Sequence, residues 1–419
     1  MKIHHHTLFA FLLATFYPLT ESFSQNDEGF IYGEVTTIDD QKFKGLMRWD
    51  SEETFWTDIF NSKKVDNPNT KLFPSTKPLE SKSDEGQGYS DYNFFELWGE
   101  KNKNCCNYPV SIHQFAVRFG DIKTIKITDR SAVTLTFKDG EKLKVQGGSN
   151  DVRARINMYE EELGEINMRW DRISQIEFMD SPKKIDNKPG EPLYGTVETI
   201  RGSLKGFIQW DHEECLSTDK LDGHNENGKM SVDMGNIKKI DRYARGVNLT
   251  LKSGREVKLF NTNDVDASNR GIVVKNDKIG KALIDWSDFE SVTFEDAPNS
   301  GPSYSDFTNP KRIQGTVYTF DEQEVTGLIV FDLDEVYDYE LLEGKDYNIE
   351  YSIPFRMIDR IKPKNYNYSM VYTKGGAELL LGDLQDVTDR NDGLIVMQSE
   401  DDKEPKYISW KRVKEIDFK

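Results

Sequence analysis

A short apolar motif occurs six times and constrains the fold more than any other feature of the sequence. Its clearest copies begin at Trp170, Trp286 and Trp410, and each has further apolar residues three, six and eight positions later. Spacings of three fit a tight 3₁₀ turn, and the final spacing of two fits a strand. Shorter copies begin at Phe119, Met234 and Phe355. The motif therefore predicts a strand, a single turn and another strand at six places.

The six copies belong to three longer repeats, each with an early segment that reads G-x-V-x-T. These segments are GEVTT at 33–37, GTVET at 195–199 and GTVYT at 315–319. A second glycine follows each segment and opens a short apolar strand; these glycines are Gly45, Gly206 and Gly327. Alternating hairpins, such as the one that turns at Asp139 and Gly140, lie between the motifs. The sequence predicts an all-β protein of three tandem repeat domains.

Within each repeat, the strand order resembles small SH3-like, Sm-like or PRC-type β-barrels, whose last two strands are joined by a 3₁₀ turn. The resemblance covers most of residues 31–419. It implies two small barrel halves in each repeat, with 3₁₀ links, and it implies no functional residue. Because a lone half of roughly 50 residues buries little apolar surface, we expect the two halves to pack as one domain.

Pro, Gly and Asn collect at 181–192 and at 296–310, where the apolar periodicity stops. The predicted repeat domains are therefore residues 25–181, 193–297 and 311–419. The first domain is longer than the other two because it contains an insertion at 62–109.

The first 24 residues predict a signal peptide. Lys2 precedes an apolar run at 7–17 that is too short to span a bilayer, and Ser22 and Ser24 are the small residues of a cleavage site. We expect cleavage before Gln25, and therefore no transmembrane span in the mature chain; an uncleaved membrane anchor is the alternative. The chain is expected to be secreted, periplasmic or at the cell surface.

The composition removes several functional classes. A hydrophobic fraction of 36% and an aromatic fraction of 12% are too high for a disordered chain. A net charge of -18 repels phosphate, so we expect no nucleic-acid partner.

Aromatic residues in and near the insertion are the candidate ligand-binding residues. They are Trp56, Tyr89, Tyr92, Phe95 and Trp98. Long insertions in repeats often carry function, so we hypothesise that these side chains contact an unknown protein or glycan partner. The alternative is that they pack over the first domain as a small additional core.

Acidic residues recur in the same register of the three repeats. The pairs are Glu53 and Asp58, Glu214 and Asp219, and Glu335 and Glu340. They could bind calcium or act as paired catalytic carboxylates, or they could cap backbone N–H groups in a turn that faces water. Asp264 and Asp266 are weaker calcium candidates, and Asp264 could instead cap a short helical turn.

The three cysteines, Cys105, Cys106 and Cys215, leave their oxidation state open. Cys215 could pair with either neighbour in the insertion, Cys105 and Cys106 could form a vicinal disulfide, or all three could be free thiols. No further cysteine or histidine lies near enough in sequence to predict a metal site.

We predict an exported, non-catalytic binding or scaffolding protein without a cofactor. The sequence contains no G-x-S-x-G, H-E-x-x-H or C-x-x-C motif. The alternative is a carboxylate-dependent hydrolase of cell-envelope glycans that uses Glu53 and Asp58. In such an enzyme, the acids of one repeat should converge in a cleft while the others face solvent; in a scaffold, the three repeats should be alike.

Overall fold

A computed structural model of the protein describes residues 26–65, 67, 114–147 and 151–419. The all-β prediction is confirmed, because these residues form thirty strands in two antiparallel sheets, joined by turns and short 3₁₀ helices. The sheets have ten and twenty strands, and neither closes into a barrel within the described residues. In the same ranges, no helix is long and apolar enough to cross a membrane.

The described residues between 26 and 178, here called the N-terminal unit, form the ten-stranded sheet. Its strands are β1 (Tyr32–Thr37), β2 (Lys42–Trp49), β3 (Ile59–Lys64), β4 (Gln114–Arg118), β5 (Ile122–Ile127), β6 (Ala132–Phe137), β7 (Lys142–Gln146), β8 (Ile156–Glu160), β9 (Gly164–Met168) and β10 (Ile173–Phe178). Their order across the sheet is β4-β3-β7-β6-β5-β10-β1-β2-β8-β9.

Residues 194–295, the middle unit, form the first half of the twenty-stranded sheet. Its strands are β11 (Tyr194–Thr199), β12 (Gly202–Gln209), β13 (Lys220–Asn225), β14 (Gly228–Asp233), β15 (Ile237–Tyr243), β16 (Gly246–Leu251), β17 (Glu256–Phe260), β18 (Ile272–Asn276), β19 (Gly280–Ile284) and β20 (Phe289–Glu295).

Residues 314–418, the C-terminal unit, form the second half. Its strands are β21 (Gln314–Thr319), β22 (Glu324–Val330), β23 (Leu341–Asp346), β24 (Ile349–Pro354), β25 (Ile358–Pro363), β26 (Tyr368–Thr373), β27 (Glu378–Gly382), β28 (Leu394–Met397), β29 (Lys406–Ile408) and β30 (Val413–Phe418). The pattern of strand pairing is the same within each of the three units. In addition, β19 pairs with β24 and so joins the middle and C-terminal units.

The recurring apolar motif forms a tight turn between two strands in every case. Five copies are 3₁₀ helices: Phe119–Asp121, Trp170–Arg172, Met234–Asn236, Phe355–Met357 and Trp410–Arg412. The sixth, at Trp286, is a hydrogen-bonded turn in which the carbonyl of Asp285 accepts the N–H groups of Asp288 and Phe289, at 3.0 and 3.2 Å. The spacing in the sequence is the same, so the apolar side chains still reach the core.

One aromatic contact recurs in the core of each unit. The rings of Trp49 and Trp170 lie 5.9 Å apart, those of Trp210 and Trp286 lie 6.1 Å apart, and those of Phe331 and Trp410 lie 5.8 Å apart. All three pairs meet edge to face, the arrangement that aromatic quadrupoles favour. The motif's first residue is therefore a core residue in all three units.

The two recurring glycines face each other across neighbouring strands. Gly195 pairs with Gly206, and the pairs Gly33 with Gly45 and Gly315 with Gly327 are equivalent. A Cβ added at Gly195 would lie 2.2 Å from the carbonyl oxygen of Thr293 on β20. Only glycine allows the strands to approach this closely, which explains why the sequence repeats it.

The connection between the middle and C-terminal units packs against the N-terminal unit. The hydroxyl of Tyr304 donates to the carbonyl of Ile122 at 2.9 Å, and the Tyr304 ring lies 4.6 Å from that of Trp56. Ser300 Oγ accepts from the N–H of Gly29 at 2.8 Å and donates to the carbonyl of Asn26. This segment therefore brings all three units together around one cleft.

Candidate functional site

Three carboxylates in equivalent turns have the same structural role. One oxygen of each accepts two backbone N–H groups of the preceding residues. The donors are Thr54 and Phe55 to Asp58, Cys215 and Leu216 to Asp219, and Val336 and Tyr337 to Glu340, at 2.6–2.9 Å. These carboxylates therefore close the turn that follows β2, β12 and β22.

The second oxygen of each carboxylate pairs with a cation from another unit. Arg48 Nη1 lies 2.7 Å from Asp219 Oδ1, Lys64 Nζ lies 2.6 Å from Glu340 Oε1, and Lys275 Nζ pairs with Asp58 Oδ1. All six side chains are largely buried. Asp58, Asp219 and Glu340 therefore cap backbone N–H groups, as one of the alternatives proposed, but they do not face water. Each is buried beside a cation of another unit.

Glu53, Glu214 and Glu335 are also alike. Each main-chain carbonyl accepts the N–H of an aromatic residue at the end of the preceding strand: Trp49, Trp210 and Phe331. Burial is the main cause that raises the pKa of all three carboxyls, to about 9 for Glu214. The acids of one unit do not stand out from those of the others.

The second group of acids bonds to the strand beside it. Asp151, Asp264 and Asp386 accept the N–H groups of Asn61, Asp222 and Glu343, at 2.5, 2.6 and 2.7 Å. The bond of Asp264 therefore reaches β13, which corrects the expectation that it caps its own turn. Asp266 does cap locally, accepting the N–H of Ser268 at 2.9 Å. No described residues form a cluster of three or more acids, histidines or cysteines suited to a metal ion.

Trp56 is fully buried, and its indole N–H donates to the carbonyl of Glu28 at 3.1 Å. This position corrects the prediction of Trp56 as a ligand-binding residue, because the ring packs against Phe178 and Tyr304 in the core. The other predicted ligand-binding residues lie outside the described residues; they are Tyr89, Tyr92, Phe95 and Trp98.

Cys215 carries a free, buried thiol in the contact between the N-terminal and middle units. Its Sγ lies 3.3 Å from Thr54 Oγ1, and burial is the main cause that raises its pKa to about 12. Cys105 and Cys106 lie outside the described residues, so the alternative of a vicinal disulfide stays a prediction.

A cleft of about 1180 Å³ lies where the three units meet. Ile59 of the N-terminal unit, Phe207 of the middle unit and Ser352 of the C-terminal unit all line it. Its basic residues are Arg118, Lys205, Lys275, Lys278, Lys281 and Arg356, and its acidic residues are Glu28, Asp277 and Asp306. Four of the basic side chains, those of Arg118, Lys205, Lys275 and Arg356, pair with carboxylates. Lys278 and Lys281 are the lining cations that form no ion pair with a described residue.

A smaller polar chamber of about 40 Å³ adjoins this cleft and shares Ile59, Lys281 and Ser352 with it. His212, Glu343 and Glu350 complete its ionisable lining. A space of this size holds water rather than an organic ligand. Lys281 therefore stands between the large cleft and a water-sized polar chamber.

The ionisable groups of the chamber have shifted pKa values. Burial, followed by the charge of Lys275, lowers the pKa of Lys281. Burial, followed by the charge of Glu350, raises the pKa of Glu343 to about 8. Burial also lowers the pKa of His212 well below its usual value. Shifted groups beside a cleft identify it as the candidate binding site.

No local pattern in the sequence points to Lys281, Glu343 and Glu350. Lys281 belongs to the middle unit and both glutamates belong to the C-terminal unit. The residue equivalent to Lys281 in the N-terminal unit is Glu165. Only the packing of the units brings them together. Comparisons of the chain with protein-family models, curated proteins and solved structures found no match.

Proposed function

We propose that the chain consists of three tandem copies of one ten-stranded domain, each built from two halves related to small SH3-like or Sm-like barrels. The matching strand partners, the facing glycines and the recurring aromatic contact support this proposal. The domains correspond to residues 25–181, 193–297 and 311–419. Buried ion pairs between them favour one rigid assembly over three independent modules.

We further propose that this assembly is an exported, non-catalytic protein that binds an acidic glycan in the cleft. The observation that carries the proposal is Lys281, which lines both the cleft and the polar chamber and forms no ion pair with a described residue. An anionic group of a ligand would neutralise it. The rings of Tyr194 and Phe207, which also line the cleft, offer apolar surfaces to the C–H faces of sugar rings.

Binding of uronic-acid oligosaccharides, measured by calorimetry beside neutral oligosaccharides of equal length, tests this function. We expect Lys281→Met to weaken binding of the acidic oligosaccharides by about tenfold or more. Lys142→Met is the matched control, because Lys142 is an exposed residue of β7 outside the cleft. Equal affinity for acidic and neutral sugars, or no effect of Lys281→Met, would contradict the proposal.

The arrangement of the acids favours binding over the alternative of glycan hydrolysis by Glu53 and Asp58. A glycosidase needs two carboxyl groups that reach the scissile bond. Both oxygens of Asp58 are already bonded, one to two N–H groups and the other to Lys275. Release of reducing ends from cell-envelope glycans by the wild type, and its loss in a folded Asp58→Asn variant, would support the hydrolase alternative instead.

Export through the predicted signal peptide is part of the same proposal. Expression of the full chain in a bacterium with an outer membrane, followed by N-terminal sequencing of the periplasmic and extracellular protein, tests it. We expect the mature chain to begin at Gln25. Protein that keeps residues 1–24 and stays with the inner membrane would support the uncleaved anchor instead.

A further inference from the structure

Four strands pair on one side only among the described residues: β4, β9, β14 and β29. Strands β9 and β14 are the two of these whose edges carry opposite charges. Glu165 and Asn167 on β9 are exposed, as are Lys229 and Ser231 on β14. A free edge with unpaired N–H and C=O groups can accept another strand.

The chain already joins two edges of this kind. Strand β19 holds the place in the middle unit that β9 holds in the N-terminal unit, because each follows a hairpin partner that pairs with the second strand. Strand β24 likewise corresponds to β14. Strands β19 and β24 pair in an antiparallel ladder, with Lys281 opposite Ser352 and Leu283 opposite Glu350. The β19–β24 ladder therefore gives the register for a contact between two such edges.

Transferring this register to the free edges gives a compatible ladder. Glu165 would lie opposite Ser231, and Asn167 would lie opposite Lys229, by the equivalences of the two hairpins. The half-buried side chains of Ile166 and Met230 would then face each other, as Ala282 and Tyr351 do. The contact would cover apolar surface as well as satisfy the backbone.

The charges favour β9 and β14 among the free edges. Strand β4 has the uncharged Gln114 where β14 has Lys229, and β29 begins one residue after the position that corresponds to Glu165. Lys281 and Glu350 are diagonal neighbours in the existing ladder, and the charge of Glu350 favours the ammonium form of Lys281. The corresponding residues of the free edges, Glu165 and Lys229, carry the same two charges with the strands exchanged. Like charges would meet if β9 faced β24 or if β19 faced β14. Diagonal pairs of this kind contribute to strand partner choice.

We propose that a second copy of this chain adds its β14 edge to the β9 edge of the first. The contact is heterologous, since the two copies use different strands. Each pair of copies keeps one free β9 and one free β14, so further copies can be added in a row or a ring. Assembly of the protein into a multivalent array follows from this contact.

Sedimentation velocity of the mature chain over a range of concentrations up to about 100 µM tests the proposal, with light scattering for mass. We expect concentration-dependent association of the wild type. Glu165→Lys and Lys229→Glu should each weaken it by about tenfold or more. An equimolar mixture of the two variants should associate again, because every β9–β14 contact between unlike copies then restores opposite charges.

Glu290→Lys is the control, because Glu290 is exposed on β20, a strand that pairs on both sides. Circular dichroism verifies that each variant is folded. Lys229→Glu also removes the surface ion pair of Lys229 with Asp222, at 3.1 Å. Mixing the two variants does not restore that pair, so recovery of association on mixing reports the β9–β14 contact. A monomeric wild type, or single variants that associate as it does, would overturn the proposal.

Discussion

Arg48 of the N-terminal unit donates to both carboxylate oxygens of Asp219 in the middle unit, at 2.7 and 2.9 Å. Arg48 also donates to the carbonyl of Glu213, and the equivalent residue Gln209 donates to the carbonyl of Glu52 in the opposite direction. The two units therefore meet through corresponding residues, as in a two-fold symmetric dimer. In the C-terminal unit, the equivalent position is the apolar Val330, and that unit meets the N-terminal unit through Lys64 instead.

Arg48→Met should lower the free energy of unfolding by about 3 to 5 kcal/mol, because it leaves Asp219 as a buried charge without its cation. Chemical denaturation followed by tryptophan fluorescence measures the change. Arg169→Met is the matched control, since its pair with Asp171 is 65% and 69% exposed and should contribute little. Equal effects of the two substitutions would show that the Arg48 pair does not hold the units together.

The buried carboxyls should make the protein less stable as pH rises above about 5. Burial raises the pKa of Glu343 to about 8 and of Glu214 to about 9, from an ordinary value of 4.5. Between pH 4.5 and the raised pKa of each group, the folded state holds a proton that the unfolded state has lost. The free energy of unfolding therefore falls with each unit by which the pH rises. His212, whose pKa is lowered, acts in the opposite direction only below its ordinary value of 6.5.

Thermal unfolding between about pH 5 and about pH 8 at constant ionic strength measures this dependence. We expect a loss on the order of 2 kcal/mol or more, at ~1.4 kcal/mol for each pKa unit of a buried group. Glu343→Gln should reduce the slope, because an amide keeps the neutral form at every pH. A stability that rises over this interval would contradict the assignment of neutral carboxyls.

Periodicity alone predicted the turns and strands of this fold because the pattern is local. The residues at Trp170 and Trp410 need only their own neighbours to form a 3₁₀ turn, and the recurring Gly195 marks a close approach of strands. The prediction of Trp56 as a ligand-binding residue was wrong. The sequence next to an insertion does not distinguish an exposed aromatic side chain from a buried one.

The contacts between units could not be predicted from the sequence. Arg48, Gln209 and Val330 occupy one position in the three units and are chemically unlike, so a comparison of the three units does not reveal their role. Lys281 and Glu343 approach each other only because β19 and β24 pair. The candidate site is a product of how the units pack, and no motif within a single unit encodes it.

Gly195→Ala should destabilise the middle unit by about 1 to 3 kcal/mol, the range for overpacking. The added methyl would lie 2.2 Å from the carbonyl oxygen of Thr293, so β11 and β20 must separate. Ser203→Ala on the exposed part of β12 is the control for a small substitution in the same hairpin. Urea denaturation compares the two variants, and an unchanged midpoint for Gly195→Ala would refute the role of the facing glycines.

Alkylation of Cys215 should report the opening of the contact between the N-terminal and middle units. The thiol is 1% exposed and its pKa is raised to about 12, so the folded protein holds almost no reactive thiolate near neutral pH. We expect iodoacetamide to label Cys215 far more slowly in the native protein than in denaturant. Peptide mass mapping measures the labelled fraction over time. Arg48→Met should speed the labelling because it weakens the contact that covers the thiol, whereas Arg169→Met should not. Rapid labelling of the native wild type would show that the two units separate freely in solution.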